Sequence, residues 1–338
     1  MVAVAALAAV LAPREGTSLR PVAVDTTVTA PTTATAGTVP ASLVTQPCGW
    51  RVTPPARYDH VVWIVLENHS YEDVVGAAGS SARAGAPYLN SLADRCGLAT
   101  NYWAVTHPSL PNYLALTSGG TGGVTTSCTP ASCPQRRNTI FNQVANHGRA
   151  WRLYAESMGS RCLRTDNYPY VVRHNPATYF PGLRDQCRVR DRSLGTLKAG
   201  WLAQDTSTDG LTALSVVVPN QCNNGHDCSV STSDAWLGAW VPKILASADY
   251  RQGRTALFIT WDEGSGGASG TNCRTLRPRS CHVATVVVTP TTKPGTRSGV
   301  RFDHYSLLKT TERMFGFSTL LGHAGDASTS GLRGPFGL

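Results

Sequence analysis

Two runs of apolar residues in this sequence end directly in side chains that carry oxygen. The run VVWIVL is followed by Glu67 and Asn68, and the run ALFITW is followed by Asp262 and Glu263. Carboxylate and amide oxygens are the ligands that hard divalent cations prefer. Adjacent carboxylates also repel each other unless a cation lies between them. The four side chains therefore predict a divalent-metal site, with which Ca²⁺, Mg²⁺, Mn²⁺ and Zn²⁺ are all compatible.

A third apolar run and a proline-flanked segment add groups that can move protons or act as nucleophiles. The run LSVVV leads into PNQCNNGHDCS, which carries His226, and an imidazole titrates near neutral pH. The segment THPSLPNYLALTSGG places Ser109 between Pro108 and Pro111, whose rings stiffen the backbone. A proline-rich loop before an apolar helix would explain the prolines, but not Asn112 or the closing glycines. Other hydroxyls in this segment belong to Thr106, Thr117 and Ser118.

Short apolar runs alternate with helical patterns around these groups. The predicted strands are Val61–Leu66, Trp151–Ala155, Leu214–Val218, Ala256–Thr260 and Val283–Thr289. The predicted helices are Pro87–Asp94, Thr139–Asn146, Asp234–Ala248 and Tyr305–Phe315. Continuous apolar strands indicate burial on both faces, so we predict an α/β fold with a largely parallel central sheet and helices on both faces. Ligands bind beyond the carboxyl ends of such strands, where the groups above should gather.

One predicted helix carries a clear start signal. Ser233 and Asp234 precede apolar residues spaced at i, i+1, i+4, i+5 and i+8, a stripe suited to packing on a sheet. We therefore predict that this pair caps the helix that follows it.

The charge of the chain favours a small anionic partner. The net charge is +9, and only four of the 30 cationic residues are lysine. Arginine suits planar, bidentate contacts with phosphate or carboxylate. The arginines are scattered, and no stretch forms the dense basic tail or motif of a nucleic-acid binder. We predict no nucleic-acid partner, although a charge that serves only solubility explains the composition equally well.

Three regions can be distinguished along the chain. Residues 1–20 resemble a signal peptide without its basic start, because the apolar run VAVAALAAVLA is shorter than the roughly 20 residues of a membrane helix. Residues 21–47 are rich in Thr, Ala and Pro and are predicted to be a linker. Residues 48–338 are predicted to form a single domain. No later segment is long and apolar enough for stable membrane insertion.

The ten cysteines are predicted to form five disulfides. The short C-x2-C spacing of zinc fingers is absent, and most cysteines have a near neighbour. The candidate pairs are Cys48/Cys96, Cys128/Cys133, Cys162/Cys187, Cys222/Cys228 and Cys273/Cys281. Disulfides form in oxidising compartments, so we expect a secreted protein.

Five motifs, taken together, resemble one protein family. They are ENHSYED, SLPNYLALTSGG, PNQCNNGHDCS, TWDEGSGG and DHYSLLKTTERMFG, in that order. They are similar to the bacterial phosphoesterase family of acid phosphatases and phospholipase C-type enzymes, within the alkaline phosphatase superfamily. The likeness extends over Tyr58–Phe317 and is greatest to secreted actinobacterial acid phosphatases. It implies an alkaline phosphatase-like fold and a phosphate ester as substrate.

The resemblance also implies roles for single residues. Glu67 and Asn68 match the first metal-binding pair, and Asp262 and Glu263 match the second. Ser109, one residue before Pro-Asn, matches the nucleophile. The implied reaction proceeds through a phosphoserine that water hydrolyses, with a divalent metal ion as cofactor.

Further polar residues match the same motifs. His226 matches a histidine that contacts phosphate or the leaving group, and Asn112 is expected to contact substrate. His174 and His304 match further active-site histidines, although His304 could serve structure alone. The histidines that match less clearly, and are expected to be packed or on the surface, are His69, His107 and His282.

Three functions are therefore compared. The first is a secreted, metal-dependent acid phosphatase; the second is a phospholipase C-type phosphodiesterase; the third is a non-catalytic, anion-binding surface protein. His69 stands where phospholipases of the family usually have arginine, which favours the first over the second. A pure binder needs no nucleophile, which argues against the third. A sulfatase is disfavoured because CTPAS at Cys128 lacks the required arginine. The sequence indicates neither the natural ester nor an oligomeric state.

Overall fold

The computed structural model describes Met1 and residues 46–338, and its centre is a sheet of nine strands. These are β1 (His60–Leu66), β2 (Gly97–Trp103), β3 (Trp151–Ala155), β4 (Asp191–Ser193), β5 (Leu214–Val218), β6 (Thr255–Trp261), β7 (His282–Val288), β8 (Thr296–Ser298) and β9 (Phe302–Asp303). Their order in space is β4-β3-β5-β1-β6-β7-β2-β8, with β9 beside β2. Apart from Met1, the predicted signal-like segment 1–20 lies outside the described residues, as does nearly all of the predicted linker 21–47.

Parallel pairing aligns the two strands that end in acidic pairs. β1 lies between β5 and β6 and is parallel to both. Leu66 is paired with Trp261, so the residues that follow, Glu67 and Asp262, leave the sheet at the same level. β7 is antiparallel to β6, and β2 is antiparallel to β7. The sheet is therefore mostly parallel with an antiparallel part, which confirms the predicted α/β class.

The five predicted strands are present, and their ends lie within one residue of the prediction. Their apolar runs are buried on both faces; every residue of β5 and β6 is buried. β2 was not predicted because small and polar residues interrupt its apolar pattern, and Thr100 and Asn101 are only half-buried. Burial along whole strands thus explains why continuous apolar runs located the centre of the sheet well.

Helices cover the sheet. They are α1 (Tyr71–Val74), α2 (Ser81–Gly85), α3 (Pro87–Arg95), α4 (Ser109–Ser118), α5 (Ile140–Asn146), α6 (Arg184–Arg190), α7 (Trp201–Gln204), α8 (Val230–Ala246), α9 (Ala248–Arg251), α10 (His304–Met314) and α11 (Arg333–Phe336). Short turns of 3₁₀ helix lie at Val172–His174, Pro176–Tyr179, Pro181–Leu183, Arg279–Cys281 and Gly322–Gly325, and a π-helical turn at Asp205–Asp209. None of these described helices is long and apolar enough to cross a bilayer.

Helix α4, which begins with Ser109, is held in place through a second helix. α4 packs against α10, while α3 packs against α8. From β1, the indole Nε1 of Trp63 donates a hydrogen bond of 3.1 Å to the hydroxyl of Thr311 on α10. The position of Ser109 relative to β1 is therefore set by side-chain contacts made through a buried helix pair.

The predicted cap at Ser233 and Asp234 is wrong. α8 begins one turn earlier, directly after its N-cap Ser229. The carboxylate of Asp234 instead accepts hydrogen bonds from the backbone N–H groups of Tyr88 (2.9 Å) and Leu89 (2.8 Å) at the start of α3. The first N–H groups of a helix have no acceptor within that helix. Asp234, which lies inside α8, therefore caps the start of α3.

Five disulfides join the candidate pairs, and no described cysteine is free. They are Cys48–Cys96, Cys128–Cys133, Cys162–Cys187, Cys222–Cys228 and Cys273–Cys281. The first ties the beginning of the predicted domain to the residue after α3, and the fourth closes the loop that carries His226. The domain boundary at residue 48 stays a prediction, although Trp50 and Tyr250 already donate hydrogen bonds to the carbonyl of Pro47 at 3.0 and 2.6 Å.

Candidate active site

Glu67 is the side chain on which the elements of the site converge. It is fully buried directly after β1. Its Oε2 accepts a hydrogen bond from the Ser109 hydroxyl at 3.0 Å, and its Oε1 accepts one from the Tyr113 hydroxyl at 2.6 Å. Its backbone N–H donates to the carbonyl of Asn224 at 2.9 Å. Strand β1, helix α4 and the loop after β5 therefore meet at one carboxylate.

Ser109 is the first residue of α4 and follows the N-cap Pro108. Its side chain is buried, with the residue only 3% exposed. The side-chain oxygen of Asn112, on the same turn, accepts from the backbone N–H groups of Val105 (3.0 Å) and Thr106 (3.1 Å) and so fixes the segment before Ser109. A helix N-terminus presents unpaired N–H groups and partial positive charge. This position therefore favours negative charge developing on or near the Ser109 oxygen.

The amide nitrogen of Asn112 is also engaged inside the protein. It donates to the carbonyl of Thr106 at 2.7 Å and to Oε2 of Glu263 at 3.0 Å. Because both ends of this side chain have partners, its geometry favours positioning of the Ser109 segment against Glu263. The expected contact between Asn112 and substrate stays a prediction.

Three buried carboxylates crowd the site. Asp262 is fully buried, and neither of its side-chain oxygens makes a hydrogen bond of normal geometry to any described residue, although Ser109 and Glu67 are near. Burial, and then the charge of Glu263, raise the pKa of Asp262 well above its usual range. Burial, and then the charge of Asp262, raise the pKa of Glu67 likewise. Burial, and then the charge of Glu67, raise the pKa of Glu263 to about 9. Ionising all three acids together is therefore unfavourable unless a cation balances their charge.

The residues present fit a divalent cation. Three carboxylates and the amide of Asn68 form an all-oxygen donor set, and the two unpartnered oxygens of Asp262 are free to bind. Among the described residues, the groups whose potential ligand atoms all lie within 4.8 Å of one another do not include these carboxylates; they are His107 with Cys273 and Cys281, and Asp191 with Cys162 and Cys187. In both groups the two cysteines form a disulfide, and a cysteine binds a metal as a free thiolate. The carboxylates are therefore the favoured metal site.

Asn68 lies where the chain turns away from the sheet. Its φ is +54°, a left-handed conformation that asparagine adopts more readily than most residues. It lines a cleft of about 490 Å³ together with His69, His226, Glu263 and the glycine-rich loop 264–267. Of the three buried acids, Glu263 is the one that this cleft reaches.

His226 lies on the wall of that cleft. Its loop is closed by the disulfide between Cys222 and Cys228, and its side chain is 26% exposed. Nδ1 lies 2.6 Å from a carboxylate oxygen of Asp227, and Nε2 lies 3.4 Å from a guanidinium nitrogen of Arg173. Of the histidines predicted to be catalytic, this one lines the cleft.

His174 is buried behind the cleft. Its Nε2 lies 3.3 Å from Oε1 of Glu67, without hydrogen-bond geometry, and its ring stacks on Tyr113. Burial, followed by the charges of Arg173 and His226, lowers the pKa of His174 well below its usual range. A neutral His174 that orients Glu67 and Tyr113 is what this geometry favours.

His304 supports the turn that carries Asp262. Its Nε2 is 2.5 Å from the backbone carbonyl of Asp262, and its Nδ1 is 3.3 Å from the hydroxyl of Tyr102. Burial lowers its pKa to about 4. Both ring nitrogens are occupied away from the cleft, which favours a positioning role; the expected catalytic role stays a prediction.

Three residues that the structure brings into the site were not predicted from the sequence as site residues: His107, which was expected to be packed or on the surface, Tyr113 and Arg173. His107 Nδ1 lies 3.1 Å from Oε2 of Glu263, and the glycine-rich loop packs on its ring so closely that a Cβ at Gly267 would collide with it. The only available signal was adjacency, because two of the three lie within four residues of Ser109 and the third precedes His174. Their contacts depend on the fold, which spacing in sequence does not reveal.

Comparison with known families gives this geometry its context. A model described as the Phosphoesterase family matches residues 78–318, which is most of the chain. The match includes Ser109, His226 and Asp262 and begins after the pair Glu67–Asn68.

Curated relatives carry phosphatase names. The chain is 28% identical over 263 residues to a phosphatidylinositol-3-phosphatase of Mycobacterium tuberculosis, covering 77% of each chain. It is 28% identical over 282 residues to a probable acid phosphatase of Kluyveromyces lactis, covering 81% of this chain and 62% of that one. It is 26% identical over 268 residues to an acid phosphatase of Aspergillus fumigatus, covering 77% and 55%. The chain thus spans less than two thirds of these two fungal relatives.

Solved structures show the same fold at low sequence identity. A Vibrio parahaemolyticus protein of the alkaline phosphatase superfamily superposes with a TM-score of 0.54 at 12% identity, covering 81% of this chain and 71% of that one. A lipoteichoic acid synthase from Listeria monocytogenes gives a TM-score of 0.55 at 10% identity, covering 80% and 75%. The chain belongs to the Phosphoesterase family, has the fold of the alkaline phosphatase superfamily, and is a phosphoric ester hydrolase.

Proposed function

We propose that this protein is a secreted, metal-dependent acid phosphatase that hydrolyses phosphate monoesters with Ser109 as nucleophile. One observation carries the proposal: the buried Ser109 hydroxyl, at the start of a helix, donates a hydrogen bond to Glu67 within a group of three carboxylates. A structural serine has no need of such neighbours.

The residues around Ser109 prepare its hydroxyl for attack. The hydrogen bond to Glu67 directs the Ser109 proton toward a carboxylate and leaves an oxygen lone pair free to approach phosphorus. A divalent cation held by Glu67, Asn68, Asp262 and Glu263 would supply Lewis-acid stabilisation of the serine oxygen and of the phosphoryl charge. The α4 N-terminus adds partial positive charge on the same side.

The reaction proceeds in two balanced steps. The oxygen of Ser109 forms a bond to phosphorus, its proton passes to Glu67, and the bond between phosphorus and the ester oxygen breaks. The leaving alkoxide takes a proton from Nε2 of His226 in its doubly protonated, cationic form; this histidine lies on the cleft wall. A water molecule then attacks the phosphoserine: it gives one proton back to His226 as its oxygen bonds to phosphorus, the bond between phosphorus and the Ser109 oxygen breaks, and Glu67 returns its proton to that oxygen, which releases inorganic phosphate and the free serine.

The names of the relatives favour a monoester over a diester. Both an acid phosphatase and a phosphatidylinositol-3-phosphatase remove a terminal phosphate, whereas a phospholipase C cleaves a diester. Five disulfides support secretion, because such bonds persist in oxidising compartments.

The nucleophile can be tested with a matched pair on one helix. Ser109→Ala should lower turnover of p-nitrophenyl phosphate by several orders of magnitude, as loss of a covalent nucleophile does. Ser118→Ala, at the other end of α4, removes a hydroxyl that bonds only to the carbonyls of Leu114 and Gly120 and should leave turnover nearly unchanged. Ser109→Thr should retain part of the activity, since it keeps the hydroxyl.

Acid quench identifies the phosphorylated residue directly. Stopping the wild-type reaction within milliseconds should trap phosphate on the peptide that contains Ser109. Phosphate on Thr106 would move the nucleophile by three residues and refute this assignment. Turnover near the wild-type level in folded Ser109→Ala protein would rule out the covalent mechanism.

A further inference from the structure

Arg173 is a cation at the site that lacks an acidic partner. It is half-buried in the 3₁₀ turn Val172–His174, and no described carboxylate lies within 4.0 Å of its guanidinium. Some partly buried arginines of the protein are paired with an acid, as Arg152 is with Asp205 and Arg274 is with Asp303, whereas Arg149 donates to the backbone carbonyls of Tyr58 and Asp59 instead. A guanidinium that is held without an acid is available for an external anion.

The position of Arg173 is fixed on both sides. The next residue, His174, is fully buried and lies 3.3 Å from Glu67. On the other side, a guanidinium nitrogen of Arg173 lies 3.4 Å from Nε2 of His226, which lines the cleft. The guanidinium therefore lies beside a histidine of the cleft wall, on the residue that precedes a buried neighbour of Glu67.

The protein partner that Arg173 does have is a weak one. Asp227 lies 2.6 Å from Nδ1 of His226, so in the neutral ring the proton sits on Nδ1 and donates to Asp227. The lone pair of Nε2 then accepts one long bond from Arg173. A phosphoryl oxygen is a stronger acceptor than this imidazole, and the planar guanidinium matches phosphate geometry with two parallel N–H bonds.

The charge of Arg173 also acts on several site residues at once. It lowers the pKa of Glu67 and of Glu263, in each case against the larger opposing effect of burial. It also contributes, after burial, to the lowered pKa of His174. Glu67, Glu263 and His174 follow or belong to three different elements. An effect of one charge on the pKa of all three indicates that the guanidinium lies near the place where these elements meet.

We propose that Arg173 binds the non-bridging phosphoryl oxygens of the substrate and makes the site select dianionic phosphate monoesters over monoanionic diesters. This inference rests on the proposed function, because it requires phosphorus to be presented to Ser109. A monoester offers three non-bridging oxygens and a second negative charge, whereas a diester offers two oxygens and one charge. A fixed cation therefore stabilises the monoester more strongly.

The ratio of two activities tests this selectivity. In metal-loaded protein, Arg173→Gln should lower kcat/KM for p-nitrophenyl phosphate roughly 10- to 100-fold, the range expected for lost charge-assisted hydrogen bonds. The kcat/KM for bis(p-nitrophenyl) phosphate should fall by only a few fold, and Arg173→Lys should be intermediate for the monoester. Arg188→Gln removes the same charge from the exposed surface of α6 and should leave both values unchanged. An equal loss for the monoester and the diester would assign Arg173 to positioning of His226 and overturn the proposal.

Binding of inorganic phosphate provides a readout without turnover. In a Ser109→Ala background, with metal content checked by elemental analysis, titration calorimetry should show phosphate binding weakened about tenfold or more by Arg173→Gln and unchanged by Arg188→Gln. Unchanged phosphate affinity in the Arg173→Gln protein, or no phosphate binding by any metal-loaded form, would refute the role of Arg173. Failure of Ser109 as nucleophile would instead appear as retained turnover in Ser109→Ala, so the two failures are distinguishable.

Discussion

Asp262 and Asp205 are both almost fully buried acids at the sheet, yet their surroundings differ. One oxygen of Asp205 is held by the guanidinium of Arg152 and by the hydroxyl of Tyr154, and Arg152 in turn packs over the ring of Trp201. Asp262 has no such cation, and its nearest charged neighbours are further acids.

The difference separates an acid that is compensated within the fold from one that is not. Burying an ionised carboxylate is costly unless a counter-charge and hydrogen bonds compensate it. Asp205 receives that compensation from its own protein. Asp262 lacks it, and the compensation must come from protonation or from a bound cation. An unpaired buried acid beside Ser109, the proposed nucleophile, is therefore the better indicator of a ligand site.

The largest effect is expected for Asp262→Asn. This change removes one of the three carboxylates that repel one another. It should abolish metal binding and lower phosphatase activity by several orders of magnitude. The melting temperature of the metal-free protein should stay the same or rise slightly. Elemental analysis, an activity assay and thermal melts in chelator measure the three effects. Full metal content in this variant would show that the cation, if any, is bound elsewhere; Glu67→Gln should behave in the same way.

Asp205→Asn should show the reverse pattern. It leaves the guanidinium of Arg152 without its counter-charge, so the free energy of unfolding should fall by about 3 kcal/mol. Metal content and kcat should stay near wild-type values, because Asp205 makes its side-chain contacts with Arg152 and Tyr154. Denaturant titration beside a steady-state assay tests both statements. A stability loss no larger than that of Asp262→Asn would remove the distinction between the two acids.

The stability of metal-free protein should depend on pH through the crowded acids. The pKa of Glu263 is raised from its usual 4.5 to about 9, so between these values the folded protein keeps a proton that the unfolded chain has released. This contribution to stability is complete below about pH 4.5 and is lost as the pH rises toward 9, by at most about 1.4 kcal/mol per pH unit.

Melting temperatures at pH 5 and pH 8 in chelator give the slope. Glu263→Gln should flatten it, whereas Asp205→Asn should leave it intact. Added divalent cation should stabilise the wild type more at pH 8 than at pH 5, since protons compete for the same oxygens. A metal-free protein that becomes more stable toward pH 8 would contradict the raised pKa.

The smallest effects concern two tyrosines that donate to these acids. Tyr154→Phe removes a hydrogen bond to Asp205 and should cost about 1 kcal/mol of unfolding free energy with little change in activity. Tyr113→Phe removes the donor to Glu67 and should lower kcat/KM about fivefold, the rate equivalent of one such bond. If both substitutions affect only stability, the Glu67 carboxylate needs no orientation from Tyr113.

The sequence predicted the centre of the sheet well and its margins poorly. β5 and β6 are buried on both faces and therefore read as continuous apolar runs, whereas β2 mixes small and polar residues. The cap at Asp234 was misassigned because an acidic residue near a helix start can bond to a neighbouring helix as easily as to its own. Long-range contacts of this kind leave no local pattern.

The same limit applies to the site. The acidic pairs could be selected because each follows a strand, and parallel strands share an edge. His107 and Arg173 could not, because their significance depends on contacts with Glu263 and His226, which are remote in sequence. Spacing thus identified the residues that end strands and missed those that approach from loops.

The pairing of Leu66 with Trp261 has a consequence for how this enzyme can change over evolution. Successive side chains of a strand point to opposite faces, so adding or deleting one residue within β1 or β6 would reverse every side chain beyond it. Such a change would turn Glu67 or Asp262 away from its partners and bury polar atoms among apolar ones. We expect insertions and deletions to accumulate freely in the loops around the cleft and to be eliminated between the start of either strand and its acid.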